Sequence, residues 1–166
     1  SGSGKSTLLN IISMIDRPTL GSLSIENKKI NFDYQDLNDK IRAKKIGIIY
    51  QDNNLLSDFT ALENVYLSKL TLIDDLKEAE IKAKKILSKL GLGKRLNHFP
   101  SELSGGENHR IAISRALINA PDIILADEPT GSLDQKNSED IFNLLLNLKD
   151  KNRIIIFATH NMYFAK

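Results

Sequence analysis

The segment Pro121-Asp122-Ile123-Ile124-Leu125-Ala126-Asp127-Glu128-Pro129 restricts what this chain can fold into more than any other stretch. Its apolar residues form an unbroken run, without the alternation of a strand that keeps one face in water. Such a run reads as a strand covered on both faces, and strands of that kind belong to parallel sheets flanked by helices. Parallel neighbours need crossover connections, so a chain built around this strand has to be α/β. The strand ends in two acids, Asp127 and Glu128, and open α/β sheets bind ligands outside the carboxyl ends of their strands.

Two glycine-led helix starts accompany it. Ser104-Gly105-Gly106 precede Ile111, Ile113, Ala116 and Leu117, which fall at roughly helical spacing. The first N–H groups of that helix lack partners in its own backbone and are expected to point outward, a setting suited to an anion. At the other end of the sequence, Ser1-Gly2-Ser3-Gly4-Lys5-Ser6-Thr7 run into the helical pattern Leu8, Leu9, Ile11, Ile12 and Ile15. A Gly/Ser linker has the same composition. The acid-tipped strand downstream favours a phosphate loop instead, in which the glycines let the backbone wrap a polyphosphate. Lys5 then reaches the β- and γ-phosphates, and the Ser6 hydroxyl ligates magnesium. The complete loop pattern has one more glycine, at a position ahead of Ser1.

Composition narrows the chemistry. The 166 residues are one domain's worth of chain, and with no cysteine among them thiol catalysis, disulfides and thiolate metal sites are excluded. A formal charge of +2, from 23 basic and 21 acidic residues, is too balanced to point to nucleic acid or an anionic membrane as the main partner. No apolar run approaches the ~20 residues of a membrane span. His98, His109 and His160 are scattered without ligand spacing, which speaks against a histidine metal site.

Taken in order, SGSGKST, LSGGE, LADEPTGSLD and the late ATH resemble the motifs of ABC-transporter ATPases, and the set is far more specific than any one member. The resemblance implies a P-loop NTPase core, a mainly parallel sheet with flanking helices, carrying an inserted α-helical subdomain. Residues 1–50 and 119–166 would form the nucleotide-binding core, and 51–118 the helical part with the Q-loop and signature motif, all within a single domain spanning 1–166. It implies ATP and Mg2+ as the bound species. Ser1, Gly2, Ser3, Gly4, Lys5, Ser6 and Thr7 would hold the phosphates, with Ser6, Gln51 and Asp127 at the metal. Glu128 takes the role of general base or water-orienting carboxylate, completed by Gln51 and the switch residue His160. Ser104, Gly105, Gly106, Glu107 and Asp134 would face a nucleotide held by a second chain, so that two ATP molecules are sandwiched in a head-to-tail homodimer or pair of ABC subunits. Two departures from the family pattern are Glu107-Asn108-His109 after the signature glycines and Ser132 in the turn before Asp134.

The remaining stretches fill in the architecture. Ser22–Glu26 alternate as a strand with a turn at Asn27-Lys28-Lys29, a short polar helix covers Asp36–Ala43, and Ile46–Tyr50 form a buried strand ended by Gln51. Thr60 with Glu63 three residues on marks a capping box. Leu76, Ala79, Ala83, Ile86 and Leu90 predict an amphipathic helix, stopped by Gly91 and Gly93. A further helix is expected from about Asn137 to Leu148, and a buried strand over Arg153–Ala158.

Leu55, Leu56 and Phe59 stand in a polar loop, either packed back on their own helices or offered to a helix of an integral-membrane permease. That loop and PTGSLD are most similar to the lipoprotein-releasing (Lol) and macrolide-exporter type of ABC ATPase. The implied function is ATP-driven transport from the cytoplasmic face of the inner membrane, peripheral through the permease. The alternative is a regulator or scaffold like the cell-division ABC proteins. The sequence further reads as an N-terminally truncated fragment, whose missing strand would lie beside the one ending at Asp127 and be needed for folding and ATP binding.

Overall fold

The computed structural model describes residues 3–131, 133–149 and 152–161, so Ser1, Gly2 and Ser132 lie outside the described residues. The first helix, α1, is Lys5–Ile12. It is followed by a hairpin of β1 (Ser24–Ile25) and β2 (Lys28–Lys29), paired antiparallel. The turn was expected at Asn27-Lys28-Lys29, but Glu26 and Asn27 make it, with φ of 51 and 62. Two central residues at positive φ match the right-handed twist of a hairpin, which leaves Lys28 and Lys29 free to pair as strand.

Next, α2 (Gln35–Lys45) runs directly into β3 (Ile46–Ile49). Three helices then intervene, α3 (Ala61–Leu70), α4 (Leu76–Lys89) and α5 (Gly105–Leu117), before β4 (Ile123–Asp127). The chain closes with α6 (Gln135–Leu146) and β5 (Ile154–Ala158).

The sheet that carries the site is parallel, in the order β3-β4-β5. Ile123 of β4 is opposite Ile46 on one side and Ile154 on the other. Ile124, Leu125 and Ala126 are completely buried, as the unbroken apolar run requires. This register overturns one expectation. Both hydrogen-bonding edges of β4 are taken, by β3 and β5, so a strand leading into the phosphate loop cannot lie beside β4. The edges left open within the described residues are the outer ones of β3 and β5.

Three apolar clusters hold the layers together. Leu9, Met14, Ile30 and Ile46 pack with Leu125 on the α1 face of the sheet. Ile113, Ile141 and Leu145 pack with Ile124 and Ala126 on the opposite face. The third cluster joins Ala61, Val65, Ala83, Leu87 and Ile111 of α3, α4 and α5, away from the sheet. Helix α5 takes part in both of the last two clusters and so fixes the helical layer to the sheet. In α4 the buried stripe is Ala79, Ala83 and Leu87, continued by Leu90, while Leu76 at the first position is half exposed. Leu87 stands at the edge of the predicted stripe, and contact with α3 and α5 draws it fully inside.

Candidate active site

Helix α1 begins without a side-chain cap. Gly4 precedes it at φ 79, in the left-handed region that favours glycine, and no acid stands in the first turn. Its leading N–H groups thus face the cleft unclaimed by any side chain, as a helix start that takes an anion must. Lys5 Nζ makes only a long contact to Ser3 Oγ, 3.4 Å, and lies 3.9 Å from Glu128 Oε1. The cleft has a volume of about 490 Å³ and is lined by Ser3, Gly4, Lys5, Ser6, Thr7, Gln51, Asp127, Glu128 and His160. These are residues from both ends and the middle of the sequence. The parallel sheet brings them together because β3, β4 and β5 all end on the same side.

Glu128 is the most constrained of them. Its φ is 45, outside the range ordinary residues prefer, and its N–H donates to the Ala158 carbonyl at 2.7 Å. This pins the residue to β5 and turns its side chain into the cleft, where Oε1 lies 2.8 Å from His160 Nδ1. Burial pushes the carboxyl pKa up, but hydrogen bonds from His160 and Thr159 outweigh it and hold Glu128 below the usual glutamate value. The group is therefore an anion at neutral pH, able to accept a hydrogen bond from water.

Asp127, one residue earlier on β4, has a buried Oδ1 with no hydrogen-bond partner. An orphaned carboxylate oxygen beside Ser6 and Gln51 fits a cation or its water ligands. Among the described residues no cluster of three or more His, Cys, Asp or Glu could hold a metal. That donor set suits magnesium, which keeps waters and binds through one carboxylate, a hydroxyl and substrate phosphates.

The other predicted residues lie apart from this cleft. Ser104 caps α5: its hydroxyl accepts from the Glu107 N–H at 3.2 Å, and Glu107 Oε2 accepts from the Ser104 N–H at 2.9 Å. Arg95 Nε donates to Glu107 Oε1 at 2.8 Å. The expectation of outward, unpaired N–H groups at this helix start therefore fails at Ser104 and Glu107, and Gly106 is buried. Asp134 caps α6 by accepting from the Asn137 N–H at 3.2 Å. None of Ser104, Gly105, Gly106, Glu107 and Asp134 lines the cleft with Lys5.

Residues 1–131 match the protein-family model described as ABC transporter. Two relatives, each described as a lipoprotein-releasing system ATP-binding protein LolD, come from Rickettsia bellii and Rickettsia conorii. They are 51% and 53% identical over 166 residues, covering 99% of this chain and 73% of theirs. An uncharacterized ABC transporter ATP-binding protein of Thermotoga maritima is 46% identical over 162 residues, 98% of this chain and 69% of its own. Among solved structures, a dimeric post-hydrolysis state of the ATP-binding cassette MJ0796, bound to ADP and Pi, superposes with a TM-score of 0.88. It is 42% identical, over 99% of this chain and 73% of that one.

The chain belongs to the ABC-transporter ATP-binding family. It is an ATPase subunit. No helix among the described residues is long and apolar enough to cross a membrane.

Several residues of this cassette escaped the sequence reading. Asn64 is fully buried in α3 and makes four hydrogen bonds, from Nδ2 to the carbonyls of Leu56, Phe59 and Thr60, and to Oδ1 from the Leu56 N–H. A polar residue one step after a capping glutamate, on the inward side of a helix, was the available signal. Arg115 of α5 donates to the carbonyls of Asn53 and Asn54, which both turn the chain at positive φ. Of the candidate docking residues, Leu55 packs on the helical cluster, while Leu56 and Phe59 stay 47% and 38% exposed. His109, read from sequence as incidental, is completely buried.

Proposed function

We propose that this cassette hydrolyses ATP to drive lipoprotein release through a membrane permease, as a dimer with ATP at its interface. The subfamily reading is supported by the LolD names of the Rickettsia relatives and by the exposed Leu56 and Phe59. One observation carries the catalytic part: an ionised Glu128, 2.8 Å from His160 and 3.9 Å from Lys5, faces the open start of α1.

The γ-phosphate sits against the first turn of α1, where the N–H groups of the loop and Lys5 neutralise its oxygens. Magnesium, held by Ser6 and Asp127 with Gln51 alongside, would supply further neutralisation of the phosphate charge. Glu128 accepts a proton or hydrogen bond from the attacking water, and His160 holds the carboxylate in place. Ser104 and Gly106 of a second copy close the other side of the nucleotide, with Asp134 at the same junction. Residues 51–118 act as the helical subdomain that carries this second surface.

Glu128→Gln tests the assignment. The amide keeps the shape but loses the charge, so the variant is expected to bind ATP, lose turnover, and run as an ATP-bound dimer on gel filtration with magnesium. Turnover at the parent rate would remove Glu128 from the catalytic role.

The permease contact is assigned to Leu56 and Phe59. Phe59→Asp is expected to abolish coupled transport and leave uncoupled ATPase activity near the parent level, since a charge at a buried partner contact is costly. If the isolated subunit loses its fold instead, Phe59 serves packing alone.

A further inference from the structure

Helix α5 holds β3 and the turn beyond it at two adjoining points. Gly47 of β3 passes so close to the helix that a Cβ there would lie 2.5 Å from the Ala116 carbonyl oxygen. One position earlier on the helix, Arg115 reaches the turn that follows the strand. Its Nη1 donates to the Asn54 carbonyl at 2.6 Å and its Nη2 to the Asn53 carbonyl at 2.5 Å. The described residues give this guanidinium no ion pair, so both Nη groups of its planar fork are committed to backbone oxygens.

The turn itself is strained. Asn53 and Asn54 stand at φ of 60 and 45, in the left-handed region that few residues other than glycine adopt, asparagine being the usual exception. Local bonds hold part of it, from the Asn53 N–H to the Tyr50 carbonyl at 3.2 Å and from the Asn54 N–H to the Asp52 carbonyl at 2.7 Å. Backbone of this kind persists where its surroundings over-determine it, and Arg115 supplies bonds from outside the turn.

Gln51 stands just ahead of this turn and lines the cleft with Lys5, Asp127 and Glu128. Its side chain lies against Gly131, where an added Cβ would meet Gln51 Cδ and Nε2 at 3.4 Å. Only Asp52 separates it from the first carbonyl that Arg115 holds, so a shift of the turn is carried into the cleft.

We propose that Arg115 is a positioning residue for hydrolysis: by holding the carbonyls of Asn53 and Asn54 it ties the turn to the helix that begins at Ser104, and so fixes where Gln51 stands in the cleft. This rests on the reading of Gln51 as a group beside the metal and the attacking water.

The test uses the full-length subunit, with melting temperature, kcat and KM for ATP measured on each variant and amide exchange of residues 50–55 followed by mass spectrometry without nucleotide. Arg115→Met keeps the apolar stem and removes both donors. It is expected to exchange at least tenfold faster over 50–55, with kcat reduced at least tenfold and KM changed less than threefold, since a misplacement of about an ångström can cost ~100-fold in rate. Arg115→Lys keeps the charge and a donor, and its kcat should stand at least threefold above that of the Met variant. Should the Met variant fail to fold, Arg115→Gln takes its place with the same expectation. Gln51→Ala and the double variant Gln51→Ala/Arg115→Met complete a cycle: if Arg115 acts through Gln51, the double is expected within twofold of Gln51→Ala. Parental kcat or parental exchange in the folded Met variant overturns the proposal. So do losses that multiply in the double variant, or a fall in melting temperature that accounts for the activity of every variant. If Gln51→Ala turned over at the parent rate, the reading of Gln51 would fail and take the proposal with it, whereas a slow Gln51→Ala beside a parental Arg115→Met overturns the proposal alone.

Discussion

The two glycine-led helix starts, of α1 and of α5, look alike in sequence and are built differently. Gly4 leaves α1 without a side-chain cap on its first turn. Ser104 and Glu107 satisfy each other's backbone N–H groups at α5, and Arg95 ties the glutamate down. The difference follows from what each must do without a ligand. The start of α1 faces a cleft closed by groups of its own chain, Lys5 among them, and is held in place by Leu9 in the sheet cluster, so it can wait with its donors open. At the start of α5 a self-made cap holds Gly105 and Gly106 at the first helical positions, with Ser104 extended ahead of them. One site is open and unsatisfied, the other preorganised and satisfied.

The largest effect that sharpens this contrast is expected at α1. Lys5→Ala should reduce ATP turnover by ~100–1000-fold, the usual loss when one donor to a charged transition state is removed. Its melting temperature without nucleotide should stay at the parent value, because Lys5 makes only a 3.4 Å hydrogen bond and a 3.9 Å ion pair. A marked loss of stability would mean that the α1 start is structurally satisfied after all, and the contrast with α5 would collapse.

At α5 the expectation reverses towards stability. Ser104→Ala removes the cap and should cost about 1 kcal/mol, roughly 2–4 °C in melting temperature for a chain of this size. Thermal melts of the ligand-free protein check it. An unchanged melt would show that the capping box contributes nothing and that α5 is as open as α1.

The smallest effect belongs to Glu107. The Ser104 N–H, with Arg95 beside it, holds this carboxyl below the ordinary glutamate range. A depressed folded-state pKa contributes stability above the unfolded value of about 4.3, and the contribution is lost as pH falls through the lower folded value. Glu107→Gln retains the capping geometry, since glutamine serves at this position, and loses only the charge. The parent should therefore exceed the variant by ~0.2–1 kcal/mol at neutral pH, the range of exposed ion pairs, and by less in acid. Melts of both proteins at pH 7 and near pH 3 measure the gap, and a gap that widens in acid would contradict this assignment.

Much of the molecule was legible from local pattern. The run Ile123–Ala126 announced a strand with both faces covered, because only burial on both sides tolerates four apolar residues in succession, and it is the centre of the sheet. Thr60 with Glu63, and the glycine after α4, marked helix ends through hydrogen bonds and backbone angles that involve near neighbours in sequence. The motif order was enough to name the family and to choose the residues that line the cleft. Tertiary structure decided what depends on residues distant in sequence. That β4 has β3 and β5 on its two edges, excluding the strand expected there, is a matter of pairing, which no single segment encodes. The side chains that meet Glu128 come from α1 and from beyond β5, and its backbone, at positive φ, donates to Ala158 of a strand distant in sequence. Asn64 and His109 look like ordinary polar helix residues until packing buries them. Sequence determined the elements and the chemistry available, since these rest on residue type and short-range spacing. Only the fold determined which polar groups lost their water, because desolvation depends on every neighbour at once.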